Sequence, residues 1–169
     1  MPVQRLNHAV LYVRDVERSV AFYRSVLGFR VVAEIPGRAA FLQAEGSTND
    51  HDLGLFALGP AAGDSTAGRT TVGLYHLAWE VDTLDELARL RGALRNAGAL
   101  VGASDHGSTK ALYAQDPDGL EFEVSWLVPA DLLGDEPREV TIESLDLEAE
   151  IARYGGSTRG GIGVSVPAS

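Results

Sequence analysis

The apolar positions along this chain change period in a regular order. Leu6 to Val13 reads as a strand, followed by a helix-start residue, Asp15. Val16, Val20, Tyr23 and Leu27 then follow the helical period, and Gly28 supplies the stop, so a helix is predicted over 16–27. Short strand candidates come next, at Arg30–Ile35, Arg38–Glu45 and Asp52–Leu58, with Pro36-Gly37 as a hairpin signal between the first two. The same succession then starts again. Leu74 to Val81 reads as a strand, and Thr83-Leu84-Asp85-Glu86 as a capping box. Leu84, Leu87, Leu90 and Leu94 form an apolar helical stripe closed by Gly98. Strands are expected at Ala99–Ala103, Ala111–Gln115 and Glu121–Trp126. Asp116-Pro117-Asp118-Gly119 between the last two is a turn, because Pro presets φ and Gly accepts positive φ.

A shift of 68 residues superposes Leu6 on Leu74, His8 on His76, Val13 on Val81, Asp15 on Thr83 and Val16 on Leu84. A repeat that keeps apolar spacing, cap position and a histidine together indicates two copies of one β-α-β-β-β unit. The fold class expected is α+β, with module 1 at about 4–60 and module 2 at about 74–128 inside a domain 1–130. Residues 59–73 (Gly, Ala, Pro, Asp, Ser, Thr) form a linker. Residues 131–169 are a tail with one short amphipathic helix around Leu145–Tyr154. Its Leu147, Ile151 and Tyr154 could dock on the body or on a second subunit, or the stretch could be a solvated charge run. Gly155–Ser169 is Gly/Ser-rich and is expected to be disordered.

Composition narrows the chemistry. Among 169 residues there is no cysteine, so disulfides, thiolate zinc sites, iron–sulfur clusters and thiol nucleophiles are excluded. Any metal site must use the four histidines, Asp or Glu. The net charge of −10 argues against a nucleic-acid partner, which needs a basic face. Residues 131–150 hold eight acids and one base, Arg138, so the tail sets much of the acidity. No apolar run is long enough for a membrane span, and Met-Pro-Val-Gln-Arg lacks a signal core, so a cytoplasmic protein without membrane contact is expected.

His8 and His76 each sit third in a strand that opens a repeat. One such histidine is usually a satisfied core residue. Two at equivalent places are brought together by pseudo-twofold packing, which makes metal ligation the better reading. On Glu121–Trp126, alternation puts Glu121 and Glu123 on one face and Phe122 and Val124 on the other. That face is either a solvated exterior or, with Glu123 pointing inward and Glu121 nearer the rim, a source of a third ligand. Two imidazoles and one carboxylate form the facial triad of non-haem Fe(II) oxygenases. Fe(II) is the first choice for His8, His76 and Glu123, with Mn(II), Zn(II) or Ni(II) as alternatives.

With these residues in place, the chain resembles the vicinal-oxygen-chelate (glyoxalase/bleomycin resistance/dioxygenase) superfamily. The resemblance rests on Leu6-Asn7-His8-Ala9-Val10, on the helix end Ala21 to Phe29, and on Tyr113 to Glu123, and it covers roughly residues 4–128. It implies two βαβββ modules in pseudo-twofold arrangement forming a U-shaped mixed sheet around a metal site. Further details resemble the small catechol 2,3-dioxygenase-type extradiol enzymes. His51-Asp52-Leu53-Gly54-Leu55 is similar to the run carrying that group's acid–base histidine. Tyr113 lies ten residues before Glu123, as that group's active-site tyrosine does before its glutamate ligand. Asp105-His106-Gly107-Ser108-Thr109 to Tyr113 is similar to a D-H-G-x-S/T-x-x-x-Y run. The resemblance thus implies His51 as acid–base, Tyr113 as a substrate-oxygen partner and His106 as a neighbouring contact. On residues alone, the better reading is a core His51 at a strand edge and a buried Tyr113 with its hydroxyl satisfied.

The implied activity is ring cleavage of a catechol-type aromatic with O₂, in aromatic-compound catabolism, by a homodimer. Two other classes remain open. One is a glyoxalase-type metal-dependent isomerase or lyase, although the strand Leu53 to Leu58 lacks the carboxylate such enzymes usually place there. The other is a non-catalytic small-molecule binding protein of the resistance type.

Overall fold

A computed structural model describes residues 2–3, 5–67, 70–133, 141–161 and 164–165. The acidic residues Asp135, Glu136 and Glu139, with Arg138, lie outside the described residues. The chain divides into two compact units, one of residues 1–66 with 116–119, the other of 67–115 with 120–169.

The first unit runs β1 (Ala9–Val13), α1 (Val16–Leu27), β2 (Arg30–Ile35), β3 (Ala39–Gln43) and β4 (Leu53–Ala57). Its sheet has the order β1-β4-β3-β2, with β1 parallel to β4 and the other pairs antiparallel. The Asp15 carboxylate accepts from Arg18 N and caps α1. Gly28 ends it at φ 78°, a left-handed turn that costs other residues strain. The periodic face of α1 packs on β3 and β4, burying Val16, Tyr23 and Val26 over Leu42, Leu53 and Leu55.

The turn at 116–119 belongs with this first unit. Asp118 N donates to Asp116 Oδ1 at 2.8 Å, and Gly119, at φ 81°, donates to Asp116 O. Arg14 grips Asp118 through its backbone N (2.9 Å) and its guanidinium (3.0 Å). Arg18 donates to Pro117 O, and the Tyr23 hydroxyl to Asp116 Oδ2. Burial first, and the Asp116 charge after it, hold the Tyr23 phenol well above its ordinary pKa.

The second unit repeats the plan with β5 (Leu77–Glu80), α2 (Leu84–Asn96), β6 (Leu100–Asp105), β7 (Thr109–Gln115) and β8 (Glu121–Leu127). Its sheet has the order β5-β8-β7-β6, with β5 parallel to β8, and gains β9 (Glu143–Ser144) on the β6 edge. Leu84, Leu87, Leu90 and Leu94 are all buried, as the leucine stripe requires. Four such side chains contribute roughly 6–12 kcal/mol of gross transfer energy. Both units carry a register irregularity in the strand after the helix, at Val31/Ala33 and at Leu100/Gly102. The two sheets and two helices are the paired βαβββ modules expected from the repeat.

The structure departs from the expectations in three places. β1 and β5 begin at Ala9 and Leu77, so His8 and His76 stand one residue before their strands instead of third within them. The capping box is half formed: Thr83 Oγ1 accepts from Glu86 N, while the Glu86 carboxylate turns to Arg89 in a bidentate pair. The tail helix takes the docked of the two arrangements expected for it, and only the stretch after it departs. Helix α3 (Leu147–Tyr154), capped by Asp146, packs against α2 with Leu147 fully buried. Gly155–Ser169, expected to be disordered, folds back where it is described. Asp85 N donates to Gly156 O, Trp126 Nε1 to Thr158 O, and Gly160 N to Asp82 O. Glycine lets the backbone come this close: a Cβ at Gly160 would stand 2.0 Å from Leu127 O. Gly/Ser content alone predicts freedom, whereas its use here is close approach.

Candidate metal and acid–base site

The register of the second unit places three site candidates on one face of its sheet. β8 pairs in parallel with β5 so that Ala78 is opposite Glu123, and antiparallel with β7 so that Tyr113 is opposite Glu123. Side chains alternate along a strand, so His76, just before β5, shares the face of Ala78 and hence of Glu123. His76 Nε2 lies 3.3 Å from Glu123 Oε2, and the His76 and Tyr113 ring centroids are 5.8 Å apart. Glu121 and Glu123 are half-buried on one face of β8, while Phe122 and Val124 on the other face are buried.

The Tyr113 hydroxyl lies 2.9 Å from His106 Nε2 and within hydrogen-bonding reach of Glu123, two acceptors that compete for its single proton. Burial first, then the Glu123 charge and hydrogen bond, push its pKa up to about 12. Tyr113 therefore remains a protonated donor across the neutral range. His106 sits in the turn between β6 and β7, and its Nδ1 is 2.8 Å from Thr141 O. A backbone carbonyl only accepts, so Nδ1 carries a hydrogen and Nε2 is the nitrogen presented to Tyr113. The result is a continuous polar chain: Thr141 O, His106, Tyr113, Glu123, His76.

The first unit holds the other two histidines side by side. The His8 and His51 ring centroids are 4.4 Å apart, and Phe41 meets His51 edge-on at 5.2 Å. Each imidazole is oriented by the residue before it. His8 Nδ1 lies 2.7 Å from Asn7 Oδ1, and His51 Nδ1 lies 3.0 Å from Asp50 Oδ2. The hydrogen bonds from the His51 backbone and ring hold the Asp50 carboxyl below its usual range. In both rings the engaged Nδ1–H leaves Nε2 with its lone pair for a metal or a proton. Asn7 and Asp50 go beyond the residues the sequence motifs point to, and their signal is an acceptor directly before a histidine.

The structure thus brings the predicted residues into two sets, His8 with His51 and His76 with Glu123, Tyr113 and His106. Among the described residues, no group of three or more His, Asp or Glu side chains is gathered closely enough to hold a metal ion. The donor chemistry nevertheless suits a divalent ion. His76 Nδ1 is buried with no hydrogen-bond partner, and its Nε2 has only the 3.3 Å approach of a carboxylate oxygen. Two donors about 2.1 Å from one ion at right angles stand about 3 Å apart, so this spacing is that of neighbouring ligands.

The family model described as the Glyoxalase/Bleomycin resistance protein/Dioxygenase superfamily matches residues 5–124. The chain belongs to this superfamily. It is 34% identical to catechol-2,3-dioxygenase of Bacillus subtilis (strain 168) over 119 residues, 70% of this chain and 40% of that one. It is also 34% identical to biphenyl-2,3-diol 1,2-dioxygenase 3 of Rhodococcus globerulus, over 71% of this chain and 62% of that one. The chain therefore spans less than two thirds of these dioxygenases. A lactoylglutathione lyase of Salmonella typhimurium (strain LT2) is 29% identical over 71% of this chain and 90% of its own length. Among solved structures, a glyoxylase/bleomycin resistance protein/dioxygenase domain from Frankia sp. EAN1pec superposes with a TM-score of 0.64 at 22% identity, covering 75% of this chain and 94% of that domain. That last likeness speaks for the fold alone. Among the described residues, no helix is long and apolar enough to cross a membrane.

Proposed function

We propose that this chain is a metal-dependent extradiol dioxygenase that opens a catechol-type ring with O₂. The ligands in this reading are His8, His76 and Glu123. The observation that carries it is the joined set in the second unit, where a carboxylate lies next to an imidazole and beside the hydroxyl of a tyrosine kept protonated. Two imidazoles and a carboxylate suit Fe(II), which when bound would chelate two adjacent ring oxygens and bring them together with O₂.

The protein groups have separable tasks. His51 Nε2, its tautomer set by Asp50, accepts a proton from a catechol hydroxyl and returns one as the O–O bond breaks. Tyr113 donates its one proton to a substrate oxygen, and His106 Nε2 stands behind it as the acceptor that otherwise takes that proton. Phe41 stands against His51 and presents an apolar edge beside it. The product is a ring-opened hydroxymuconic semialdehyde containing both oxygen atoms of O₂.

The test is O₂ uptake by protein loaded anaerobically with Fe(II) and mixed with a panel of catechols. Uptake with a yellow product is expected, and no uptake across the panel refutes the reading. The second reading, an isomerase or lyase indifferent to O₂, draws on the similarity to a lactoylglutathione lyase. The first-unit strand β4, Leu-Gly-Leu-Phe-Ala, offers no carboxylate to a fourth ligand position, which favours the dioxygenase.

A further inference from the structure

The superfamily match ends at residue 124, yet the site's polar chain does not. Its last acceptor, Thr141 O, belongs to the tail. Three separate contacts tie that tail to the strands around His106. β9 pairs with the end of β6, Ser144 with Ser104 and Glu143 with Asp105, one residue short of His106. Lys110, on β7 and only 1% exposed, reaches Asp105 Oδ1 at 2.6 Å and Glu150 Oε2 on α3 at 2.8 Å. Thr141 itself lies over the turn, its Oγ1 3.6 Å from where a Cβ on Gly107 would stand.

These contacts act on one degree of freedom. A neutral imidazole has two tautomers and can flip its ring, and only one arrangement offers the Nε2 lone pair to Tyr113. The Thr141 carbonyl selects it, because it binds Nδ1–H and repels a bare Nδ1. We infer that residues 141–154 are a positioning element of the site, which locks His106 through the Thr141 carbonyl so that its Nε2 faces the Tyr113 hydroxyl. The inference rests on the site assignment above, with His106 and Tyr113 as its proton-handling pair. It makes Thr141 and Lys110 positioning residues, since neither touches a reacting atom.

The test uses the full-length chain carrying Leu147→Ala and Glu150→Ala, which removes the buried anchor and one end of the clamp without touching His106. ¹⁵N-histidine spectra are recorded with and without Zn(II), a diamagnetic ion, well above the ordinary imidazole pKa. Unaltered protein should show His106 as a single Nδ1–H tautomer, and the double variant a mixture. Turnover on whichever catechol is cleaved should fall about tenfold or more with KM little changed, as expected when a positioned proton acceptor is loosened. In a His106→Ala background the tail substitutions should then cost almost nothing further, the non-additivity of groups that act through one another. An unchanged His106 tautomer, or a loss that adds fully to that of His106→Ala, overturns the inference. If the double variant is unfolded by circular dichroism, Glu150→Gln alone takes its place with the same readouts. The spectra need no substrate, so a chain that cleaves no catechol refutes the proposed function and still leaves the tail inference to be decided.

Discussion

Lys110→Met tests the clamp that joins the tail to the sheet. The ammonium is 1% exposed and faces two carboxylates, Asp105 at 22% and Glu150 at 12% side-chain exposure. Asp105 Oδ1 also accepts from Gly107 N, so it stays fixed when the lysine goes. The Glu150 Oε2 approach is close but off the hydrogen-bonding direction, so that contact counts as charge pairing. Methionine keeps the volume and removes the charge, leaving two neighbouring half-buried anions. Stranding buried charge costs about 3–5 kcal/mol, and the residual exposure of the carboxylates places this case near 3. That is about a hundredfold in the folding equilibrium, or roughly 6–12 °C in Tm for a chain this long. Urea unfolding followed by circular dichroism measures it. The variant Asp105→Asn/Lys110→Met/Glu150→Gln should recover most of the loss, since the cost lies in unpaired charge and not in packing. A Lys110→Met chain within about 1 kcal/mol of the parent would refute the argument, because exposed pairs are worth no more than that. So would a triple variant as unstable as the single one.

The remaining predictions concern the site and its scaffold. His8→Ala, His76→Ala and Glu123→Ala should each abolish bound metal, whereas His51→Ala should retain metal and lose turnover. Elemental analysis of the purified variants decides it, and metal loss in His51→Ala would mean a misassigned ligand. In metal-free protein, ultraviolet titration should find the Tyr113 phenol ionising at about 12, and Glu123→Gln should move it down only part of the way to 10, since burial is the larger cause. The sign of the linked stability follows: a phenol raised above its unfolded value stabilises the fold fully below pH 10, and that contribution is lost as pH rises toward 12. Gly119→Ala should cost roughly 1–2 kcal/mol in thermal unfolding, because φ is 81° there and a Cβ disfavours it.

What the sequence made legible is what repeats in it. α1 runs Val16–Leu27 and β2 Arg30–Ile35, as the period and the Pro36-Gly37 hairpin signal require. Those elements are specified by their own side chains and caps. The boundaries that moved depend on partners. β1 begins at Ala9 because pairing with β4 begins at Leu53, and no local feature of Leu6-Asn7-His8 marks that limit. The tail was least legible for the same reason. An acidic amphipathic stretch suits solvent as well as a docking face, and the choice is made by α2, by the free edge of β6 and by Lys110. Thr141 was invisible in principle, since its contribution is a backbone carbonyl, which every residue type carries.

The two repeat histidines are equivalent in sequence and unequal in their surroundings, and the difference has a chemical consequence. The 68-residue shift lays Asn7 on Tyr75. Asn7 gives His8 Nδ1 an acceptor; Tyr75 offers His76 a tilted ring at 4.6 Å, and Nδ1 is left buried and without a partner. His8 is therefore oriented by a hydrogen bond, and His76 by packing between Tyr75 and Tyr113 and by Glu123. Duplication of a unit repeats the position of a donor, while the residue beside it decides which nitrogen is available. Each ring is thus restrained by different means. The ring without a hydrogen-bonded Nδ1 has the weaker restraint. If both are ligands as proposed, Asn7→Ala should therefore weaken Zn(II) binding more than Tyr75→Ala does, by the about ten- to a hundredfold usual for such hydrogen-bonded partners, and isothermal titration ranks the two. The opposite order would refute the argument, because packing by Tyr75 would then be the stronger restraint.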